Sequence, residues 1–100
     1  MFDGVYVIYK ITFPNGKIYI GKDVAKHGHD INYFGSWNCK LVENDFTRDQ
    51  LQDFTIRREI LHESRDMTEI NRLEGEYIVA LKSNDPVVGY NQTHRKRKEV

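Results

Sequence analysis

The segment Pro14-Asn15-Gly16 constrains this chain most, because it separates two runs built of strand-forming residues. Residues 4–13, Gly-Val-Tyr-Val-Ile-Tyr-Lys-Ile-Thr-Phe, and 17–21, Lys-Ile-Tyr-Ile-Gly, are dense in β-branched and aromatic types, which suit a pleated, half-buried surface. Asn-Gly between such runs predicts a β-hairpin with a two-residue turn, both of whose positions need positive φ. On that turn Pro14 faces Lys17, Phe13 faces Ile18 and Thr12 faces Tyr19. Opposed residues share a face, and faces alternate along each strand. Val5, Val7, Tyr9, Ile11, Phe13, Ile18 and Ile20 then form an apolar core side. Tyr6, Ile8, Lys10, Thr12, Lys17, Tyr19 and Gly21 form the other, and its tyrosines and lysines are an odd load for a face meant only for solvent. A one-residue slip would carry Tyr19 to the core side.

A chain of 100 residues has room for one domain with a single modest core. Lysine plus arginine equals aspartate plus glutamate at 15 each, so net charge selects no partner. The distribution of charge is more informative. Residues 94–98, His-Arg-Lys-Arg-Lys, are basic, whereas 43–53 is acid-rich; such separation gives modest support for a polyanionic partner, beside the simpler reading of a solvated tail. Cys39 is the only cysteine, which excludes an internal disulfide and suits a reducing compartment. No run of residues is long and apolar enough to span a membrane, and the N-terminus lacks a signal-peptide layout. An intracellular, cytoplasmic domain is expected.

Residues 22–33 read as an irregular loop, about 36–52 as a helix with an imperfect apolar pattern, and 54–61 as a third strand. Trp37 and Cys39 are expected to pack on the core. The clearest helix starts at Asp66, which can cap it, with Glu69 placed to complete a capping box. Ile70, Leu73, Tyr77 and Leu81 centre its apolar arc, flanked by Met67, Ile78 and Ala80. Glu69, Arg72, Glu76 and Lys82 fall outside that arc, but Glu74 lies only about 40° from its centre. Burying a carboxylate is costly unless a partner, a metal or a raised pKa relieves it. Glu74 therefore belongs either to a site or to an ion pair with Arg57 or Arg58.

Gly4-Val5-Tyr6 followed by Tyr19-Ile20-Gly21 resembles the signature of the GIY-YIG nuclease superfamily. Glu74-Gly-Glu-Tyr77-Ile78 is similar to that family's glutamate helix, and Gly89-Tyr90-Asn91 to its closing asparagine motif. Each piece alone is weak, but the ordered set spans residues 1–92 and leaves 93–100 as a basic tail able to lead into a linker. The resemblance implies an α+β domain, with a three-stranded antiparallel sheet that begins with a hairpin and is flanked by helices. It implies cleavage of DNA phosphodiesters with one Mg²⁺ or Mn²⁺, in the manner of phage homing endonucleases. It also implies that Tyr6 and Tyr19 flank the scissile phosphate, that Glu74 holds the metal, and that Asn91 braces the site.

The chemistry suits these residue types. One carboxylate, phosphate oxygens and waters make a reasonable Mg²⁺ shell, and the ion acts as a Lewis acid on the phosphate and the leaving oxygen. Tyr6 is expected to activate or orient water and Tyr19 to support it, with Lys10, Lys17 or Lys22 favouring the phenolate. Relatives commonly carry an arginine about eight residues after the second glycine. Here that position is His29, and no arginine occurs between Met1 and Arg48. Either Lys22, His27, His29 or Lys40 supplies the positive charge, or the function has been lost; substitution is the reading adopted. Lys10, Lys17, Lys22, His27, Lys40, Arg95, Lys96 and Arg97 are the expected nucleic-acid contacts.

Plainer readings stand beside these. Tyr6 and Tyr19 suit strands on propensity alone, and Asn91 suits a turn. His27, His29 and Asp30 fall short of a closed zinc set. Gly4 and Gly21 let strand or substrate approach closely. Three functions are thus distinguished: a DNA endonuclease, a nucleic-acid-binding module of the same fold without cleavage, and a small interaction domain, to which the neutral net charge lends support.

Overall fold

Pro14, more than the asparagine after it, decides the hairpin. In the computed structural model, which describes residues 5–23 and 37–91, the Gly16 amide donates to the Phe13 carbonyl at 2.8 Å and the Phe13 amide to the Lys17 carbonyl at 2.9 Å. Gly16 alone in this turn has positive φ, at 88°. That is a three-residue connection, a type I turn closed by a left-handed glycine. Proline, with φ already near −65°, favours the second position of such a turn. The Asn15 side chain locks it by accepting the Lys17 amide at 3.0 Å.

The extra loop residue moves the register by one. Strand β1 (Tyr6–Thr12) pairs antiparallel with β2 (Ile18–Asp23), Thr12 facing Ile18, Ile11 facing Tyr19 and Ile8 facing Lys22. Tyr6 and Tyr19 therefore lie on opposite faces, which corrects the shared face expected from a two-residue turn. β2 also continues through Lys22 and Asp23, where a loop is expected.

β3 (Arg57–Ser64) pairs antiparallel with the other side of β1, giving a three-stranded sheet in the order β2-β1-β3. It starts three residues later than expected because Phe54 and Ile56 pack into the core instead of pairing. Leu61 is an extra residue between the Ile8–His62 and Tyr9–Ile60 pairs, a bulge that bends the strand. The expected helix over 36–52 is two short ones, α1 (Cys39–Glu43) and α2 (Arg48–Gln52). Thr47 breaks the run by capping α2, in a capping box with Gln50. Trp37 packs on the core as expected, but Cys39 is exposed in the first turn of α1.

Two apolar layers sandwich the sheet. One gathers Val7, Tyr9, Ile11, Phe13, Val42 and Tyr90, with Tyr19, Trp37, Phe46 and Phe54 packed against them. The other joins Ile8 and Ile20 to Ile70 and Ile78 of α3 (Met67–Leu81), with Tyr6, Leu61, Leu73 and Tyr77 at its margin. The domain is of α+β class. No helix among the described residues is long and apolar enough to cross a membrane.

The capping of α3 agrees with Asp66 as N-cap, its carboxylate accepting the amides of Thr68 at 2.9 Å and Glu69 at 3.4 Å. The reciprocal half of the box is rerouted. Ser64 Oγ accepts the Asp66 amide at 3.0 Å and donates to Glu69. At the other end Lys82 takes φ 62° and ψ 28°, while the Ser83 amide reaches back to the Ile78 carbonyl at 3.1 Å, a Schellman closure that favours glycine. Lys82→Gly should therefore raise the unfolding free energy by about 0.5–1 kcal/mol, measured by urea denaturation with the single Trp37 as reporter.

Candidate active site

The helix face that α3 turns to the sheet is rotated from the expected one. Ile70 and Ile78 are fully buried, whereas Met67, Ala80 and Leu81 are exposed. Ile70 and Ile78 lie about 80° apart around the helix, with Glu74 midway between them. Glu74 thus stands on the inward line itself, closer to the centre than the sequence pattern implied.

Its partner is neither arginine considered for it. Arg57 pairs with Glu59 at 3.0 Å, and the Arg58 guanidinium lies 5.5 Å from the centre of the Tyr9 ring. Lys22 meets Glu74 instead, Nζ to Oε1 at 3.7 Å, and donates to the Asn71 side-chain oxygen. Extension of β2 past Gly21 is what makes this possible, since pairing with Ile8 turns Lys22 towards α3. The pair borders an open groove of about 760 Å³, also lined by Arg72, Gly75, Glu76, Val79 and Ala80. Tyr6 lies on the same sheet face, half-buried and packed against the layer of Ile8, Ile20, Ile70 and Ile78.

Tyr19 is on the opposite face, stacked edge-on against Trp37 at 5.9 Å between ring centres. Gly21 is explained on that face as well. It pairs with Tyr9, and any Cβ there would overlap the end of the Tyr9 ring.

Asn91 ties the closing segment to β2. Its side chain accepts the Ile20 amide and donates to the Ile20 carbonyl, both at 2.7 Å, and is buried. Ile20 lies between Tyr19 and Gly21, so Asn91 holds the backbone of that triplet and is more than a turn residue. The Ile18 amide bonds to Val88, and the Tyr90 amide to Ile18, completing a short parallel bridge along the outer edge of β2.

Of the other expected nucleic-acid contacts, Lys10 pairs with Glu59 at 3.3 Å and Lys17 with Asp45 at 2.8 Å, so both carry an acidic partner. Lys40 is exposed on α1. His27, His29, Asp30, Gly4, Arg95, Lys96 and Arg97 lie outside the described residues.

A second polar cluster was not anticipated. Tyr90 donates to Asp45 at 2.7 Å and accepts from the Asn15 amide at 3.0 Å, while Lys17 also reaches Asp45. Lys17 and then Tyr90 hold the Asp45 carboxyl below its ordinary value. Burial, reinforced by Asp45, pushes the Tyr90 hydroxyl up to about 12. A folded-state value above the unfolded one contributes stability that is complete below pH about 10 and is lost as pH rises towards 12. Alkaline unfolding should accordingly be steeper in the native chain than in Tyr90→Phe, as read by Trp37 fluorescence between pH 9 and 12.

The described residues contain no cluster of three histidine, cysteine or acidic side chains able to cage a metal. The donor set at Glu74 still fits Mg²⁺, which commonly keeps several waters and takes one or two carboxylates together with substrate phosphate. Compared with known proteins, the chain matches no family model, no curated protein and no solved structure.

Proposed function

We propose that this domain is a metal-dependent endonuclease of GIY-YIG type that hydrolyses DNA phosphodiester bonds. One observation carries the reading: a carboxylate on the inward line of its helix, Glu74, is met by a lysine of the hairpin instead of by a structural arginine. The ordered triplets, the glutamate helix and the Asn91 brace support it. Glu74 is the residue that would hold Mg²⁺ or Mn²⁺, and the ion would supply Lewis acidity to the phosphate. Lys22 provides the positive charge that members of the resembled family take from arginine. Tyr6, on the same face, orients the attacking water. A supporting role for Tyr19 rests on the family resemblance alone, since its half-buried ring packs on the other face of the sheet. DNA as substrate rests on the family resemblance.

The test is incubation of supercoiled plasmid with the protein and Mg²⁺. Nicking is expected in the native chain, with a loss of at least roughly tenfold in Glu74→Ala if the carboxylate holds the ion. The opposite-face position of Tyr19 favours a second reading, a binding module without cleavage. DNA retention in gel shifts without nicking by either protein would select it. Loss of both binding and nicking would leave an interaction domain.

A further inference from the structure

We propose that Lys22 is a counter-ion latch on Glu74, opened together by a divalent cation and a phosphodiester; the inference rests on the metal role assigned to Glu74. Among the described residues the groove beside Glu74 offers two cations, Lys22 and Arg72. Arg72 is engaged by Glu76 at 2.8 Å, one helical turn away and well exposed. Among the described residues Lys22 is the cation that meets Glu74, and it also donates to Asn71, a neutral amide.

Both charged ends keep water access, with 33% of the Lys22 side chain and 21% of Glu74 exposed, so the pair is weak enough to open. The strand fixes the lysine's Cα while its four-carbon stem lets the ammonium swing. A divalent cation competes with the ammonium for the carboxylate, and a phosphodiester competes with the carboxylate for the ammonium. Either ligand frees the group that the other needs. Their binding is therefore positively coupled, and coupling of this kind is reciprocal.

The probes are Mn²⁺, followed by electron paramagnetic resonance, and dimethyl phosphate as the simplest phosphodiester. Trp37 fluorescence melts check that each variant folds. Lys22→Met should bind Mn²⁺ roughly two- to fivefold more tightly than the native chain, the range expected when a partly exposed ion pair no longer competes. Dimethyl phosphate should tighten Mn²⁺ binding in the native chain and do so less in Lys22→Met. Asn71→Ala, which changes no charge but removes the lysine's second hold, should also tighten binding.

Equal Mn²⁺ affinity in the native chain and Lys22→Met would overturn the latch. Tightening in Lys22→Met with none in Asn71→Ala would reduce it to a general field effect and overturn it too. Absence of Mn²⁺ binding in every variant, Glu74→Gln included, would remove both the latch and the metal role of Glu74. The expected affinity pattern without plasmid nicking would keep the latch and discard the nuclease reading.

Discussion

Gly89→Ala is expected to cost about 3 kcal/mol and to lower the melting temperature by roughly 10–20 °C. The added methyl would meet the Ile18 carbonyl oxygen at 2.5 Å, the Ser83 carbonyl oxygen at 2.6 Å and the Ser83 Cα at 2.7 Å. All three are backbone atoms, so no side-chain rotation relieves the overlap, and the close approach alone requires glycine here. Relief means moving the closing segment off β2, which breaks the Ile18 bonds to Val88 and Tyr90 and the Asn91 amide bond to Ser83. Thermal unfolding followed by circular dichroism checks the size of the effect. A melting temperature within about 3 °C of the native one would show that the segment yields without cost.

Asn91→Leu should be of similar size, about 3 kcal/mol, for a different reason. Leucine fills a comparable volume but leaves the Ile20 amide and carbonyl without the partner each now has at 2.7 Å. An orphaned buried backbone group costs roughly 1–3 kcal/mol. Asn91→Asp separates the two bonds. It keeps an acceptor for the amide but sets a second oxygen against the Ile20 carbonyl, so it should not rescue stability. Amide hydrogen exchange at Ile20 gives the local readout, with protection falling in Asn91→Leu. Unchanged protection would mean that the side chain contributes nothing to the edge of the strand.

Much of this architecture was legible in the residues. Strand-forming runs around Pro-Asn-Gly announced the hairpin, Asp66 marked the start of the long helix, and the place of Glu74 among its apolar residues pointed inward. The register is not legible in Asn-Gly alone, because Pro14 at the second turn position favours the longer connection. The one-residue difference moved Tyr19 to the core and brought Lys22 to Glu74. The two short helices were also written locally, in the Thr47–Gln50 capping box, but the apolar residues on either side masked the break. Contacts among distant residues left no comparable local mark. Asn71 carries no charge pattern that would announce its hold on Lys22, and the link from Asn15 through Tyr90 to Asp45 joins three separate parts of the chain.

The bidentate hold of Asn91 on Ile20 also bears on synthesis. The two residues are 71 positions apart, so the hairpin leaves the ribosome long before its clasp exists. Until the closing segment emerges, the outward amides and carbonyls of Ile18 and Ile20 present an open sheet edge, a template for pairing with another chain. Nascent domains that wait on such distant contacts are exposed to misassembly while they wait. A chain stopped before Gly89 carries the whole sheet but not its closure, so such fragments should aggregate under conditions in which the full sequence remains dispersed.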